Sequence, residues 1–141
     1  MNFMPSIDAA RSRLAALTEE DAARPVREGG WSRKQILGHL IDSASNNHQR
    51  FVRAILNGGL DWPSYEQERW VEAGGYHELP WTELVALWSS YNRLLSHVVS
   101  RMPEHAAGFR CRIGHEGAMS LGELVRAYLT HMEHHLRQIL D

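Results

Sequence analysis

Residues 130–138 read Thr-His-Met-Glu-His-His-Leu-Arg-Gln and place three histidines within five residues of a segment with helical periodicity. Positions four residues apart lie on one face of a helix, about one turn from each other. His131 and His135 can therefore direct two imidazoles at one point, which is how a single helix offers a divalent metal two ligands. A metal site needs at least one further ligand, so we expect a third from another part of the chain.

The same segment belongs to the last of four predicted helices. Ser120 and Glu123 form a capping-box pattern at its start. Apolar residues then recur at spacings of four and three, which is typical of the buried seam of a helix bundle. The predicted seam is Leu121, Val125, Tyr128, Met132, His135 and Ile139. In this prediction His135 occupies a seam position and His131 lies on its flank.

Three earlier helices are predicted from periodicity and from their start and stop signals. They begin near Ser6, at Ser32 (with Gln35 completing a capping box) and near Pro80. Two long connections, residues 57–80 and 103–119, join the last three helices, and no convincing strand is visible in the chain. Four long helices predict an all-α fold, a four-helix bundle.

The composition limits the class of protein. A chain of 141 residues suits one domain over residues 1–141, and a net charge of -2 gives no electrostatic basis for binding nucleic acid or an anionic membrane. No apolar run approaches the roughly 20 residues of a membrane span, and no secretory signal is visible. A single cysteine, Cys111, excludes an internal disulfide and indicates a reducing compartment. We therefore expect a soluble, cytoplasmic protein that acts on a small molecule.

The third ligand is expected from a helix face that borders the core. The second predicted helix carries a polar row beside its apolar stripe, namely Ile36, His39, Ser43, Asn46 and Arg50. A lone histidine on such a face is more often a core residue satisfied by a neighbour. Burying His131 and His135 one turn apart, however, is costly unless something accepts both rings. His39 is therefore the predicted third ligand, and three histidines with open positions are typical of a catalytic metal site.

Several roles stay open at this stage. His134 could replace His135, although it points further from the seam. Asn46 and Arg50 are predicted to bind substrate, with Arg50 holding a carboxylate through paired hydrogen bonds, but an exposed helix face would explain them equally well. Asp42, one turn after His39, could orient a ligand or act as a base. No catalytic residue is assigned.

Three segments together resemble the DinB-like (DinB/YfiT) superfamily. They are Trp31-Ser32 with Gly38-His39-Leu40-Ile41-Asp42, Tyr65-Glu66-Gln67-Glu68-Arg69-Trp70-Val71, and His131-xxx-His135-xx-Gln138-Ile139. The resemblance covers essentially the whole chain and implies a bundle with up-down-down-up topology and a long connection between helices 2 and 3. It also implies a divalent metal, often nickel or zinc, held by His39, His131 and His135, and frequent homodimers.

Members of that superfamily include transferases that use low-molecular-weight thiols such as bacillithiol or mycothiol, and a maleylpyruvate isomerase branch. The resemblance thus implies a thiol-dependent S-transferase whose metal lowers the pKa of a thiol cofactor. Two other functions stay open. One is a metal-binding or small-molecule-binding stress-response bundle without turnover. The other is a metal-dependent hydrolase, for which the sequence shows no obvious general base.

Overall fold

Helices dominate the computed structural model, which describes residues 2–141. The helices are α1 (Met4–Ala15), α2 (Glu19–Ala23), α3 (Arg33–Asn57), α4 (Gln67–Gly74), α5 (Trp81–Arg101) and α6 (Leu121–Leu140). The strands are β1 (Gly59–Trp62), β2 (Arg110–Ile113) and β3 (Met119–Ser120). Short 3-10 turns cover Tyr76–Glu78 and Glu104–Gly108. Within this described part, no helix has both the length and the apolar character needed to cross a bilayer.

Hydrogen bonds between helix ends fix the direction of α6 relative to α1 and α3. Arg13, near the end of α1, donates from Nη2 to the Leu140 carbonyl at the end of α6, over 3.2 Å. Arg33, at the start of α3, donates from Nε to the Ile139 carbonyl over 2.9 Å. Helix α6 therefore runs parallel to α1 and antiparallel to α3.

Glu19 on α2 shows that α3 and α5 run in the same direction. Its carboxylate binds the buried Lys34 ammonium at the start of α3 and accepts a hydrogen bond from the Trp81 amide at the start of α5, over 2.8 Å. Two consecutive bundle helices are thus parallel, and the topology is the predicted up-down-down-up.

The parallel pair obliges the chain to return along the bundle between α3 and α5, and β1 and α4 lie in this return. Strand β1 pairs in parallel with β2, which lies in the α5–α6 connection, and β2 pairs antiparallel with β3. The two long connections therefore meet in one small sheet. These strands were not predicted from the sequence, because segments of two to four residues are too short to show alternation.

The capping signals of α3 and α6 place the starts of these helices correctly, whereas α1 begins at Met4, before the predicted start near Ser6, and has no side-chain cap. The Ser32 hydroxyl accepts from the Gln35 amide and the Gln35 side chain accepts from the Ser32 amide, which completes the predicted capping box of α3. Ser120 caps α6 through the Glu123 amide. Gly58, with φ of 76°, ends α3 in the left-handed conformation that favours glycine.

The buried face of α6 corrects one prediction. His135 is only half-buried, and Leu136 takes the core position in its place. A helix of 3.6 residues per turn allows a step of four from Met132 to Leu136, and the apolar side chain is the less costly one to bury. Both His131 and His135 consequently lie on the flank that faces α3.

Tyr76 packs the return segment against α3. A Cβ added at Gly38 would lie 2.1 Å from Cδ2 of the Tyr76 ring, and one added at Gly74 would lie 2.6 Å from its Cε2. The Tyr76 hydroxyl donates to the Asp42 carboxylate. The glycine in the interior of α3 is therefore explained by the close approach of this ring.

We predict that Gly38→Ala lowers the free energy of unfolding, because the methyl group would displace the Tyr76 ring at a packing cost of about 1–3 kcal/mol. This loss should exceed the gain of about 1 kcal/mol that alanine brings to a helix interior. Gly122→Ala on α6 is the matched control, because its Cβ would meet the Ala107 carbonyl at an ordinary 3.4 Å. Urea denaturation of both variants measures the difference, and equal stability of the two would contradict the packing described here.

Candidate metal centre

Three imidazoles converge between α3 and α6. His39, His131 and His135 each offer one ring nitrogen, and these atoms lie within 4.8 Å of one another. The Nε2 atoms of His39 and His131 are 3.0 Å apart. The ring centroids are 4.6 to 4.9 Å apart and the ring planes are nearly perpendicular. The structure thus brings together the three residues that the sequence analysis selected.

The helix pairing explains this convergence. Because α3 and α6 are antiparallel neighbours, the first half of α3 faces the second half of α6. His39 is 1% exposed, and the Trp31 ring covers it at a centroid distance of 5.4 Å. His131 and His135 are half-buried and follow each other by one turn. One deeply buried ring therefore faces two rings that reach the surface of the bundle.

All three rings are held in the neutral form. Burial, reinforced by the neighbouring imidazoles, lowers the pKa of His39 and of His131 to about 4. Burial also lowers the pKa of His135, and the hydrogen bond from its ring to Gln138 opposes that shift. A neutral imidazole has a free lone pair, which a positively charged one lacks. The cluster is therefore ready to bind a cation without first losing protons near neutral pH.

Gln138, for which no role was predicted, contacts two of the histidines of α6. Its amide oxygen lies 2.7 Å from His135 Nδ1, and its amide nitrogen lies 3.4 Å from His134 Nε2. An amide oxygen can only accept, so Nδ1 of His135 is the protonated nitrogen and Nε2 carries the lone pair. The i,i+3 spacing of His135 and Gln138 was the signal in the sequence.

His134 and Asp42, whose roles were open, both lie outside the cluster. His134 is exposed, and the centroid of its ring lies 5.0 Å from the centroid of the His135 ring. Asp42 accepts the hydrogen bond from Tyr76, and its other carboxylate oxygen is buried without a partner. Burial raises the pKa of Asp42. Asp42 lines a cleft beside α4 with Trp70 and Tyr76 rather than the space around the three histidines.

The cluster borders two clefts. The first, of about 210 Å³, is lined by His131 at one end and by Arg50 further along α3. The second, of about 510 Å³, is lined by His135, Gln138 and Trp31. Space for a small molecule is thus available on both sides of the imidazoles.

The two predicted substrate-binding residues are placed differently. Arg50 is buried and lines the first cleft. Asn46 is half-buried, and its amide donates to the Asp42 carbonyl over 2.9 Å. The amide side chain that lines the cleft belongs to the next residue, Asn47, which donates to the Ser43 carbonyl over 2.8 Å.

The donor set fits a divalent transition metal. A tetrahedral ion with bonds of about 2.0–2.1 Å to imidazole nitrogens separates those nitrogens by about 3.3 Å. The Nε2 atoms of His39 and His131, 3.0 Å apart, come within a few tenths of an ångström of that separation, whereas the nitrogens of all three rings together span up to 4.8 Å. Among residues 2–141, no carboxylate or thiol joins the three rings.

A family model described as the DinB superfamily matches residues 6–139 of the chain. The chain is a member of the DinB superfamily. This confirms the resemblance seen in the sequence. A relative from Geobacillus thermodenitrificans, with the provisional name metal-dependent hydrolase, is 28% identical over 137 residues, which are 95% of this chain and 76% of that protein. A second, from Oceanobacillus iheyensis and with a similar provisional name, is 26% identical over 88% of this chain and 71% of its own length.

Solved structures of other proteins that resemble this chain confirm its four-helix bundle fold. YfiT from Bacillus subtilis, described as a probable metal-dependent hydrolase with an unusual four-helix bundle topology, matches with a TM-score of 0.84. It is 18% identical, and the match covers 97% of this chain and 81% of YfiT. A mycothiol-dependent maleylpyruvate isomerase matches with a TM-score of 0.76 at 13% identity, over 94% of this chain and 55% of the isomerase.

Proposed function

We propose that His39, His131 and His135 bind one divalent metal ion and that the protein is a metal-dependent hydrolase. The observation that carries this proposal is the convergence of three neutral imidazoles, without a fourth protein ligand in the described residues, at the border of two clefts. Such a set leaves coordination positions open, as in catalytic sites. A divalent metal bound there would lower the pKa of a coordinated water to about 7 and so supply a nucleophile at neutral pH.

The lack of a carboxylate base beside the ligands does not oppose hydrolysis. Three neutral imidazoles would leave the charge of a bound divalent cation uncompensated, so a coordinated water would release its proton to bulk solvent near neutral pH without a carboxylate base from the chain. The work of the protein is then to keep the rings neutral, to fix their orientation and to admit the substrate. Burial beneath Trp31 keeps the His39 ring neutral. The hydrogen bond to Gln138 fixes the orientation of the His135 ring.

Two kinds of likeness support hydrolysis from outside the chain. The provisional name metal-dependent hydrolase is shared by relatives that align with most of this chain, and YfiT is described in similar terms. Zinc and nickel are the metals we propose, following the resemblance to the superfamily. Three imidazoles suit either ion, so direct metal analysis is required to choose between them.

Thiol-dependent transfer is the second candidate. The structural likeness to a mycothiol-dependent isomerase supports it, and so does the presence of two clefts, one beside His131 and one beside His135. In this alternative one cleft would hold the thiol cofactor and the other the electrophile that the thiol attacks. The S-transferase expectation from the sequence therefore stays a prediction.

We predict that protein purified without a metal-affinity column contains about one divalent ion per chain by elemental analysis. His39→Ala, His131→Ala and His135→Ala should each lose most of the metal, because each removes one of three ligands. Gln138→Leu should weaken metal affinity by about 10–100-fold, because the His135 ring loses the acceptor that orients it. His134→Ala is the matched control and should retain the metal. Loss of metal in His134→Ala together with retention in His135→Ala would show that the ligand set is wrong.

We also predict turnover of a panel of carboxylic esters, amides and phosphoesters in the absence of any thiol. A chelator should abolish the activity, and zinc or nickel should restore it in the wild type but not in His39→Ala. Strict dependence of product formation on an added low-molecular-weight thiol would favour the transferase instead. A metal-loaded protein that processes neither panel, with or without thiol, would indicate a binding protein without turnover.

A further inference from the structure

We propose that Arg50 recognises an anionic group, a carboxylate or a phosphate, on the molecule that enters the cleft beside His131. The assignment of that molecule as the substrate rests on the proposed function. The anion site itself consists of residues that are present with or without a metal. Its chemistry can therefore be tested separately.

Arg50 is a buried cation whose hydrogen-bonding capacity is largely unused. The residue is 9% exposed, and its Nε atom is buried without a partner. Its one hydrogen bond in the described structure is a long contact of 3.5 Å from Nη1 to the Asn47 amide oxygen. A guanidinium carries five N–H donors, and buried donors of this kind are normally satisfied. Burial lowers the pKa of Arg50, which reflects the cost of keeping this charge away from water.

The surroundings of Arg50 suit a planar anion. The guanidinium carbon lies 5.7 Å from the centroid of the Tyr65 ring, so the aromatic face supports the cation on one side. Ser43 and Ser64 line the same cleft and offer hydroxyl groups. A guanidinium fork matches the two oxygens of a carboxylate or a phosphate, which an ammonium cannot do.

The other charged group that faces Arg50 is Glu116. It lies in the exposed loop between β2 and β3, lines the same cleft and raises the pKa of Arg50 through its negative charge. In the described part of the chain, no carboxylate approaches Arg50 within the 4.0 Å of an ion pair. Glu116 therefore leaves the guanidinium donors available, and it would repel an incoming anion.

Arg50, on α3, and His131, on α6, border the same cleft. Arg50 follows His39 by eleven residues, which is about 16 Å along a helix. The long arginine side chain and the position of His131 in the same cleft shorten the distance between the two chemical functions. The ligand we infer therefore has its anionic group at Arg50 and its reacting bond beside His131, which lines the same cleft.

The test uses the metal-stripped chain of 141 residues, so that anions cannot bind to a metal. Succinate and inorganic phosphate are titrated separately, and the Arg50 Nε–H signal is followed by nitrogen-15 NMR while affinity is measured by calorimetry. We expect at least one probe to shift the Arg50 signal, and the stronger probe distinguishes a carboxylate site from a phosphate site. Absence of any shift with both probes would overturn the proposal.

Variants identify the residue responsible. Arg50→Gln should weaken the binding of the effective probe by about tenfold or more, and Arg50→Lys should give an intermediate loss because it keeps the charge without the fork. Glu116→Gln should strengthen binding. The matched control is Arg53→Gln, because Arg53 lies one turn further along α3, is exposed and already donates to Gln49. Equal affinity in Arg50→Gln and the wild type would refute the assignment.

Stability separates recognition from a structural role. Removing a buried charge without an ion-pair partner should leave the melting temperature of Arg50→Gln unchanged or higher. A large drop in melting temperature with unchanged probe affinity would show that Arg50 is structural, and if this variant does not fold, the NMR titration of the wild type decides.

Arg50→Gln should still bind metal. Failure of the metal proposal would appear as metal-free histidines with intact anion binding, whereas failure of this inference would leave metal binding intact.

Discussion

The packing of α3 against α6 is the contact on which the rest of this structure depends. It brings His39 to within 3.0 Å of His131, a residue 92 positions later in the chain. Imidazoles at such distances repel each other when charged, and burial adds to that cost, so the contact forms with neutral rings. Holding three neutral bases side by side, one fully buried and two half-buried, costs stability unless a cation or a ligand binds them. The arrangement is therefore better explained by function than by packing.

The topology places other elements around this contact. Because α3 and α5 are parallel, the chain has to return between them, and that return carries Tyr65 and Tyr76 along the polar side of α3. The second long connection contains β2, which pairs with β1, and it brings Glu116 to the edge of the cleft lined by Arg50 and His131. The small sheet thus closes one end of the site, while the helix ends bonded through Arg33 and Glu19 hold the other end of the bundle together.

The sequence predicted the parts of the structure that local chemistry determines. The capping box at Ser32 located the start of α3, and the i,i+4 spacing of His131 and His135 indicated two side chains on one face. The sequence also indicated His39 as the third ligand, because this residue belongs to a polar row beside the apolar stripe of α3. The sequence could not show that Leu136 rather than His135 enters the core, since both positions continue the helical pattern and the partner helix decides between them. Nor could it distinguish Asn46 from Asn47 as the cleft residue, because a helix rotation of a fraction of a turn exchanges them. The strands depend on pairing between distant connections, which leaves no local signal.

X-ray diffraction from crystals grown with zinc or nickel, collected at the absorption edge of that metal, tests the central claim most directly. We predict one anomalous peak between α3 and α6, within about 2.0–2.1 Å of one ring nitrogen each of His39, His131 and His135. A peak at the exposed His134 instead, or no peak between the three rings in crystals that contain the metal, would contradict the account.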